Sequence, residues 1–139
     1  MRPCLLRILP LDKASDGSLC GSRGHKLIFL TACAEKWVAP LPLFGALKLD
    51  CHDRRRVGEL TRLWIEEGWL WADGTIENKE VKRISGDFPN TNEFHVSGDF
   101  EDCHIKDTRA SLWWAYPAQL IGATILVHPG AFREARILW

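Results

Sequence analysis

The sequence predicts a small α+β domain, in which one amphipathic helix packs on a mostly antiparallel, curved sheet of about six to eight strands. Three observations predict this fold class. Apolar runs rich in β-forming residues recur along the chain, residues 53–67 show helical spacing, and Gly, Pro and Asp-Gly signals separate the runs. At 139 residues, the chain fits one domain spanning 1–139.

Three strands are expected in the first third of the chain. Residues 2–11, 25–33 and 43–49 are apolar and rich in β-forming side chains, so each run predicts a strand. The Gly- and Ser-rich stretch 12–24 predicts a loop. Pro42 is expected at the start of the third strand or on an edge, because proline has no N–H to donate to a sheet.

Residues 53–67 predict the main helix. Asp53 can cap its start and Gly68 can end it. The apolar stripe that assigns the helix consists of Val57, Leu60, Leu63 and Trp64. This spacing places Trp64 in the core.

The rest of the chain predicts strands joined by tight turns. Asp73-Gly74 lies between two short strand-like runs and predicts a hairpin turn, because both central residues of such a turn need positive φ. From Lys79 onward the pattern indicates a β meander. The near-copies 84–88 and 96–100 are interpreted as two similar turns or bulges at strand ends.

Bulk composition excludes several classes of protein. The chain carries 18 basic and 18 acidic residues, so a dedicated nucleic-acid binder is disfavoured. The acidic bias of 85–107 is typical of a solvated sheet face. No apolar run approaches the roughly 20 residues of a membrane span, and Arg7 and Pro10 break the one candidate signal peptide. Five cysteines without a CxxC motif favour a reduced, cytoplasmic protein.

An arginine triplet is the leading candidate for ligand binding. Arg54, Arg55 and Arg56 lie at the start of the predicted helix, where free backbone N–H groups and guanidinium groups together suit an anion. The alternative is a solvated helix face, on which Arg55 and Glu59 form an i,i+4 ion pair.

A second candidate combines two carboxylates with a lysine. Asp73 precedes Glu80-Val81-Lys82, and this pattern resembles, over about ten residues, the site of metal-dependent nucleases of the PD-(D/E)xK type. The resemblance implies that Asp73 and Glu80 hold a divalent ion and that Lys82 positions or activates water. The chain departs from the pattern because no helix is predicted after Lys82.

A repeated tripeptide offers metal ligands. Asp50-Cys51-His52 recurs as Asp102-Cys103-His104, and Cys and His are the usual ligands of zinc. Adjacent strand residues point to opposite faces, so each copy can give one ligand to a shared ion. The alternative is one buried cysteine beside one exposed histidine in each copy. No cofactor or metal is predicted, and Cys51, His52, Cys103 and His104 are kept as candidate ligands.

Seven tryptophans with a single tyrosine suggest an interaction surface. Trp69 and Trp71 would share one strand face, whereas Trp113 and Trp114 would point to opposite faces. Exposed tryptophan is a favoured anchor of interfaces, so these four residues are the predicted interface. The alternative is that tryptophan simply fills the core of a small domain.

The sequence therefore favours a non-enzymatic binding protein. A Trp-bearing sheet face and an arginine-rich helix start would engage a protein or a small molecule, and a homo-oligomer is a compatible form. The alternative is a small enzyme, either the nuclease-like protein above or a hydrolase with a pocket in its curved sheet. A nucleic-acid partner is disfavoured by the neutral charge.

Overall fold

Eight strands and two short helices form the described part of the chain. A computed structural model describes residues 1–16, 26–47, 55–107 and 112–139. The elements in chain order are β1 Arg2–Pro10, β2 Lys26–Phe29, α1 Thr31–Ala34, β3 Leu41–Phe44, β4 Arg56–Glu66, β5 Trp69–Ile76, α2 Asn78–Asp87, β6 Phe94–Asp107, β7 Leu112–Leu126 and β8 Arg136–Leu138.

Seven of these strands close into a barrel. The order around it is β7-β3-β4-β5-β1-β8-β6, and the pairing of β6 with β7 completes the ring. Most neighbours are antiparallel, and the parallel pairs both involve β7, with β2 and with β3. Closure of the barrel gives hydrogen-bond partners to the backbone N–H and C=O groups that would be unpaired at the edges of an open sheet.

The long strands β6 and β7 continue beyond the barrel as a three-stranded extension. Leu112–Ala115 of β7 pair with β2 on one side, and 113–117 pair with 103–107 of β6 on the other. The strands of the extension therefore lie in the order β2, β7, β6. Below, the term extension refers to β2, residues 112–117 of β7 and residues 101–107 of β6.

Helix α2 lies at the end of the barrel where β5 stops and β6 starts. Its residues Glu80, Val81 and Ile84 are buried, and Ile84 is fully so. Arg83 donates hydrogen bonds of 2.7 and 2.8 Å to the carbonyls of Ala46 and Gly45, just after β3. The helix is therefore joined to the barrel by apolar packing and by hydrogen bonds.

Aliphatic side chains from the surrounding strands fill the barrel, and a cluster of aromatic side chains packs beside them. Fully buried members include Leu6, Ile8, Leu43, Leu60, Leu70, Ile76, Leu120 and Ile125. Phe29 lies 4.8 Å from Phe100 and 6.1 Å from Phe132, and Trp37 lies 5.5 Å from Phe100, all between ring centroids. No helix in the described part of the chain is long and apolar enough to cross a membrane.

The fold class is more strongly β than the α+β prediction. Strands make up 57% of the structure and both helices are short, so the molecule is a β-barrel with a helix at one end. The mostly antiparallel, curved sheet is confirmed, but the single main helix is not.

The predicted helix at 53–67 is wrong, because residues 56–66 form strand β4. The strand pairing shifts by one residue between Leu60 and Arg62. A bulge of this kind adds one residue to the period-two alternation. Val57, Leu60 and Leu63 pack inward at intervals of three residues, and this spacing imitates one face of a helix.

The predicted Asp73-Gly74 turn is also wrong, because both residues lie within β5. The turn between β4 and β5 is made by Glu67 and Gly68, whose φ angles are +50° and +78°. Positive φ at both central residues matches the tight hairpin turn that follows the twist of two strands. Gly68 therefore reverses the chain and does not end a helix.

The meander predicted from Lys79 begins with a helix, since residues 78–87 form α2. The two near-copies consequently differ in structure. Residues 84–88 run through the end of α2, whereas 96–100 lie in β6 beside a bulge at Asp99 and Phe100. Ile84 is buried under the barrel end, so tertiary packing decides its conformation.

Candidate functional site

A row of stacked tryptophans and arginines crosses the outer face of β4, β5 and β1. In β5, the outward positions alternate with the fully or nearly fully buried Leu70, Ala72 and Ile76. Its outward residues Trp69 and Trp71 are half-buried. We call the set Arg62, Trp64, Trp71, Arg7 and Trp69 the tryptophan row.

Strand register brings the members of the tryptophan row together. Trp64 and Trp71 are direct cross-strand partners, and Arg7 lies opposite Trp71 on the other side of β5. The bulge after Leu60 turns Arg62 and Trp64 outward, opposite Asp73 and Trp71. The row therefore forms only because residues 56–66 are a strand. The sequence does not predict the row, because the apolar spacing of this segment indicates a helix.

Ring stacking links the five side chains. The Trp64 and Trp71 ring centroids are 6.3 Å apart, and their planes differ by 11°. The Arg62 guanidinium carbon lies 4.3 Å from the centroid of Trp64. The guanidinium carbon of Arg7 lies 4.5 Å from the Trp69 centroid and 6.0 Å from that of Trp71. The three distances from a guanidinium carbon to a ring centroid are in the range of cation–π interactions.

Carboxylates hold both guanidinium groups in place. Arg62 donates from Nη2 to Asp73 Oδ2 at 2.8 Å, and Arg7 donates from Nη2 to Glu134 Oε2 at 3.1 Å. The indole N–H of Trp71 donates to the Glu66 carbonyl at 3.3 Å. The row is consequently preorganised, with its ring stacking and ion pairs formed before any partner binds.

The structure brings together only part of the predicted interface. Trp69 and Trp71 share one face, as expected, but the third tryptophan beside them is Trp64, which the sequence placed in the core. Trp113 and Trp114 lie in the extension, opposite Leu27 and Ile28 of β2. Strand β7 is not a neighbour of β5, so the two tryptophan pairs do not form one surface.

One member of the arginine triplet, Arg55, pairs with a buried carboxylate. Arg54 is outside the described residues. Arg55 donates to Glu80 from Nε at 3.1 Å and from Nη2 at 2.7 Å, and Arg56 pairs with Glu59 at 3.3 Å. In the described residues, strand β4 begins at Arg56 where the helix was predicted. Anion binding at the triplet therefore stays a prediction, without support from the backbone N–H groups of a helix start.

Glu80 binds two guanidinium groups at once. Its side chain is 3% exposed, and Arg83 donates to it from Nε at 2.6 Å in addition to Arg55. The two hydrogen bonds from Arg55, and then the one from Arg83, lower the pKa of Glu80 to about 2 against the opposing effect of burial. Glu80 is therefore an ionised acceptor that ties α2 to the segments beside it.

The nuclease-like residues occupy three different environments. Asp73 binds Arg62 on the outer barrel face, Glu80 is buried against Arg55 and Arg83, and Lys82 is exposed on α2. Among the described residues, no group of three or more His, Cys, Asp and Glu side chains could hold a metal ion. A catalytic role for these three residues stays a prediction.

The candidate zinc ligands are described only in the second tripeptide. Cys51 and His52 lie outside the described residues, and Cys103 and His104 are exposed neighbours on β6. Cys4, Cys33 and Cys103 are free thiols, and burial brings the pKa of Cys4 to about 11. The Cys4 thiol is thus protonated at neutral pH, the form that binds metal poorly.

Two surface cavities flank α2. One, of about 440 Å³, is lined by three cationic and three anionic side chains: Arg55, Arg56, Lys79, Glu59, Glu77 and Glu80. The other, of about 370 Å³, lies between α2 and β8 and includes Phe94 and Trp139, whose centroids are 5.0 Å apart. Neither lining contains a histidine or a cysteine that could act as a nucleophile or its base.

Comparison with known proteins assigns no family to this barrel. No family model matches the chain, and no curated protein and no solved structure matches it at a significant level.

Proposed function

We propose that this chain is a non-enzymatic binding protein whose tryptophan row docks a partner protein. The observation that carries the proposal is the row itself: three half-buried indoles and two arginines stacked in one line on the outside of a barrel. Tryptophan and arginine are the residue types most enriched at the energetic centres of protein interfaces.

The row fits a protein better than a small ligand. Each indole already stacks on a guanidinium or on another indole, so a sugar or a base would have to displace a neighbour to stack there. The row also lies on the outward face of paired strands, whereas small-molecule sites are concave. A flat partner surface can contact the ring edges without breaking the stack.

Charge favours a protein over a nucleic acid. Arg7 and Arg62 are each paired with a carboxylate, and Glu66 adds a third acidic group beside the row. Phosphate groups are bound by an excess of basic side chains. A protein surface that presents both signs of charge is the matching partner, and a second copy of this chain is one such surface.

The proposed compartment is the cytoplasm. Its support is that Cys4, Cys33 and Cys103 are free thiols, as is usual in a reducing compartment.

Site-specific photo-crosslinking tests the proposal. A photoreactive phenylalanine analogue replaces Trp71 in one preparation and the 72% exposed Val38 in another, and both are illuminated in extract from native cells. We expect a discrete protein adduct at position 71 and none at position 38. The mass of the adduct tells whether the partner is a second copy.

Arg62→Ala provides the independent check, because it removes one end of the row while the 65% exposed side chain leaves the core intact. We expect the yield of the position-71 adduct to fall with Arg62→Ala. Equal adducts at positions 71 and 38, or no adduct at 71, would show that the row is not a docking surface.

A further inference from the structure

One edge of the extension has no partner strand among the residues that the structure describes. Residues 101–107 of β6 pair with β7 on one side, whereas the other β6 pairing among the described residues, with β8, is formed by Phe94 and His95. The Val96 N–H also reaches the Ala135 carbonyl, at 3.2 Å. Beyond these residues, the described chain places no strand beside this edge.

The opposite edge of the same extension is covered. The backbone of Asp12 and Ser15 donates to the carbonyls of Phe29 and Leu27, each at 2.7 Å, and the Leu27 N–H donates to the Ser15 hydroxyl at 2.9 Å. Ala14 also forms a bridge with Ile28. The described residues thus cover the β2 edge and place no strand on the 101–107 edge of β6.

The side chains described along the 101–107 edge are exposed, and the sequence of this segment is acidic. Glu101, Cys103, His104 and Lys106 are all exposed. In sequence, residues 101–107 contain three acidic residues and one lysine, a net charge of −2 with histidine neutral. An unpaired edge is a template for another strand, and proteins commonly blunt it with proline or lysine. This edge has one lysine and no proline.

We propose that the 101–107 edge of β6 binds a basic, extended segment of a partner protein as an added strand. Main-chain hydrogen bonds would supply affinity, and the acidic edge would select lysine or arginine side chains. At about 3.3 Å per residue, the edge accommodates a segment of roughly seven residues. This site is separate from the tryptophan row, and its test does not depend on that row.

A second copy of this chain is the weaker occupant. Pairing two β6 edges would bring two segments of net charge −2 together, and like charges on facing strands destabilise a sheet. Charge complementarity therefore selects a basic segment.

The experiment uses a fluorescein-labelled nine-residue peptide in which Lys alternates with Thr. Fluorescence anisotropy measures its binding to the full chain at low salt. A second peptide is identical except for methyl groups on alternate backbone nitrogens, which remove donors and keep every charge. We expect N-methylation to weaken binding about tenfold or more, as the loss of even one hydrogen bond can do.

Protein variants locate the site. Glu101→Lys should weaken binding about threefold or more, whereas Glu77→Lys, the same charge change at the start of α2, should leave it unchanged. Amide hydrogen exchange should show new protection within 101–107 on addition of the unmethylated peptide.

Three results would overturn the proposal. The first is equal affinity for the two peptides, which means that charge alone attracts them. The second is unchanged exchange within 101–107. The third is light scattering that shows a dimer whose β6 amides are already protected without peptide, which makes a second copy the occupant.

Discussion

Glu80 shows how one side chain can join separate parts of this chain. It accepts hydrogen bonds from Arg55, just before β4, and from Arg83 within α2, and Arg83 also binds the carbonyls after β3. A buried carboxylate with two guanidinium partners stays ionised, because the two partners together stabilise the charged form more than burial opposes it. The local sequence pattern does not predict the pairing with Arg55, which lies 25 positions away from Glu80.

Replacing Glu80 with glutamine should lower the free energy of unfolding at pH 7. A drop in pKa from 4.5 to about 2 corresponds to about 3 kcal/mol. Because the Arg55 side chain is 48% exposed, we expect a smaller loss of about 2 kcal/mol. Urea denaturation measures it, with Glu59→Gln as the control at a 42% exposed ion pair.

The same substitution should flatten the acid dependence of stability. Glu80 binds a proton more weakly in the folded than in the unfolded chain, so its contribution is complete above about pH 4.5 and is lost as pH falls toward 2. The difference between wild type and Glu80→Gln should therefore vanish near pH 2. A difference that stays constant with pH would contradict an ionised Glu80.

At the scale of elements, close backbone approach fixes β4 against β5. A Cβ placed on Gly74 would lie 1.9 Å from the Glu59 carbonyl oxygen, and one on Gly58 would lie 2.1 Å from that of Thr75. Both contacts involve backbone, which cannot move aside without opening the strand pair. Gly74 is therefore needed for the close approach of the two strands, not for a turn.

Two glycine substitutions test whether Gly74 is required for the close approach of β4 and β5. Gly74→Ala should destabilise the fold by at least about 3 kcal/mol, because the strands must separate to admit the methyl group. Gly86→Ala in α2 meets nothing within 4 Å and should stabilise by about 0.5–1 kcal/mol, since alanine favours helix. Thermal unfolding measures both. Similar, small effects of the two changes would refute the close approach.

At the scale of the whole molecule, α2 completes a core that the strands surround. Ile84 is fully buried at the barrel end, while the neighbouring helix positions Lys82 and Ser85 are exposed. The helix therefore unfolds together with the barrel, because its apolar residues have no other place to be buried.

Ile84→Ala should consequently cost about 2–5 kcal/mol. Leu138→Ala, at a 66% exposed position, should change stability by less than about 0.5 kcal/mol. Far-UV circular dichroism and tryptophan fluorescence should give one common midpoint in urea for each variant. A separate early transition of the helix signal would show that α2 does not contribute to the barrel core.

The sequence by itself determined the features that depend on local chemistry. Alternation about Leu70 places Trp69 and Trp71 on one face, the apolar run at 2–11 matches β1, and the many short β-rich runs predict a mostly antiparallel, curved sheet. Each follows from the period-two geometry of a strand, which neighbouring residues carry without help from the rest of the chain.

Only the tertiary structure decided how β4, α2 and the tryptophan row are formed. Because of a bulge after Leu60, the apolar residues of a strand have the spacing expected of a helix. Residues 78–87 form a helix that packs against the end of the barrel. Trp64 consequently faces outward beside Trp71. The physical reason is that strand pairing and burial join residues distant in sequence, and the free energy of those contacts exceeds local propensity.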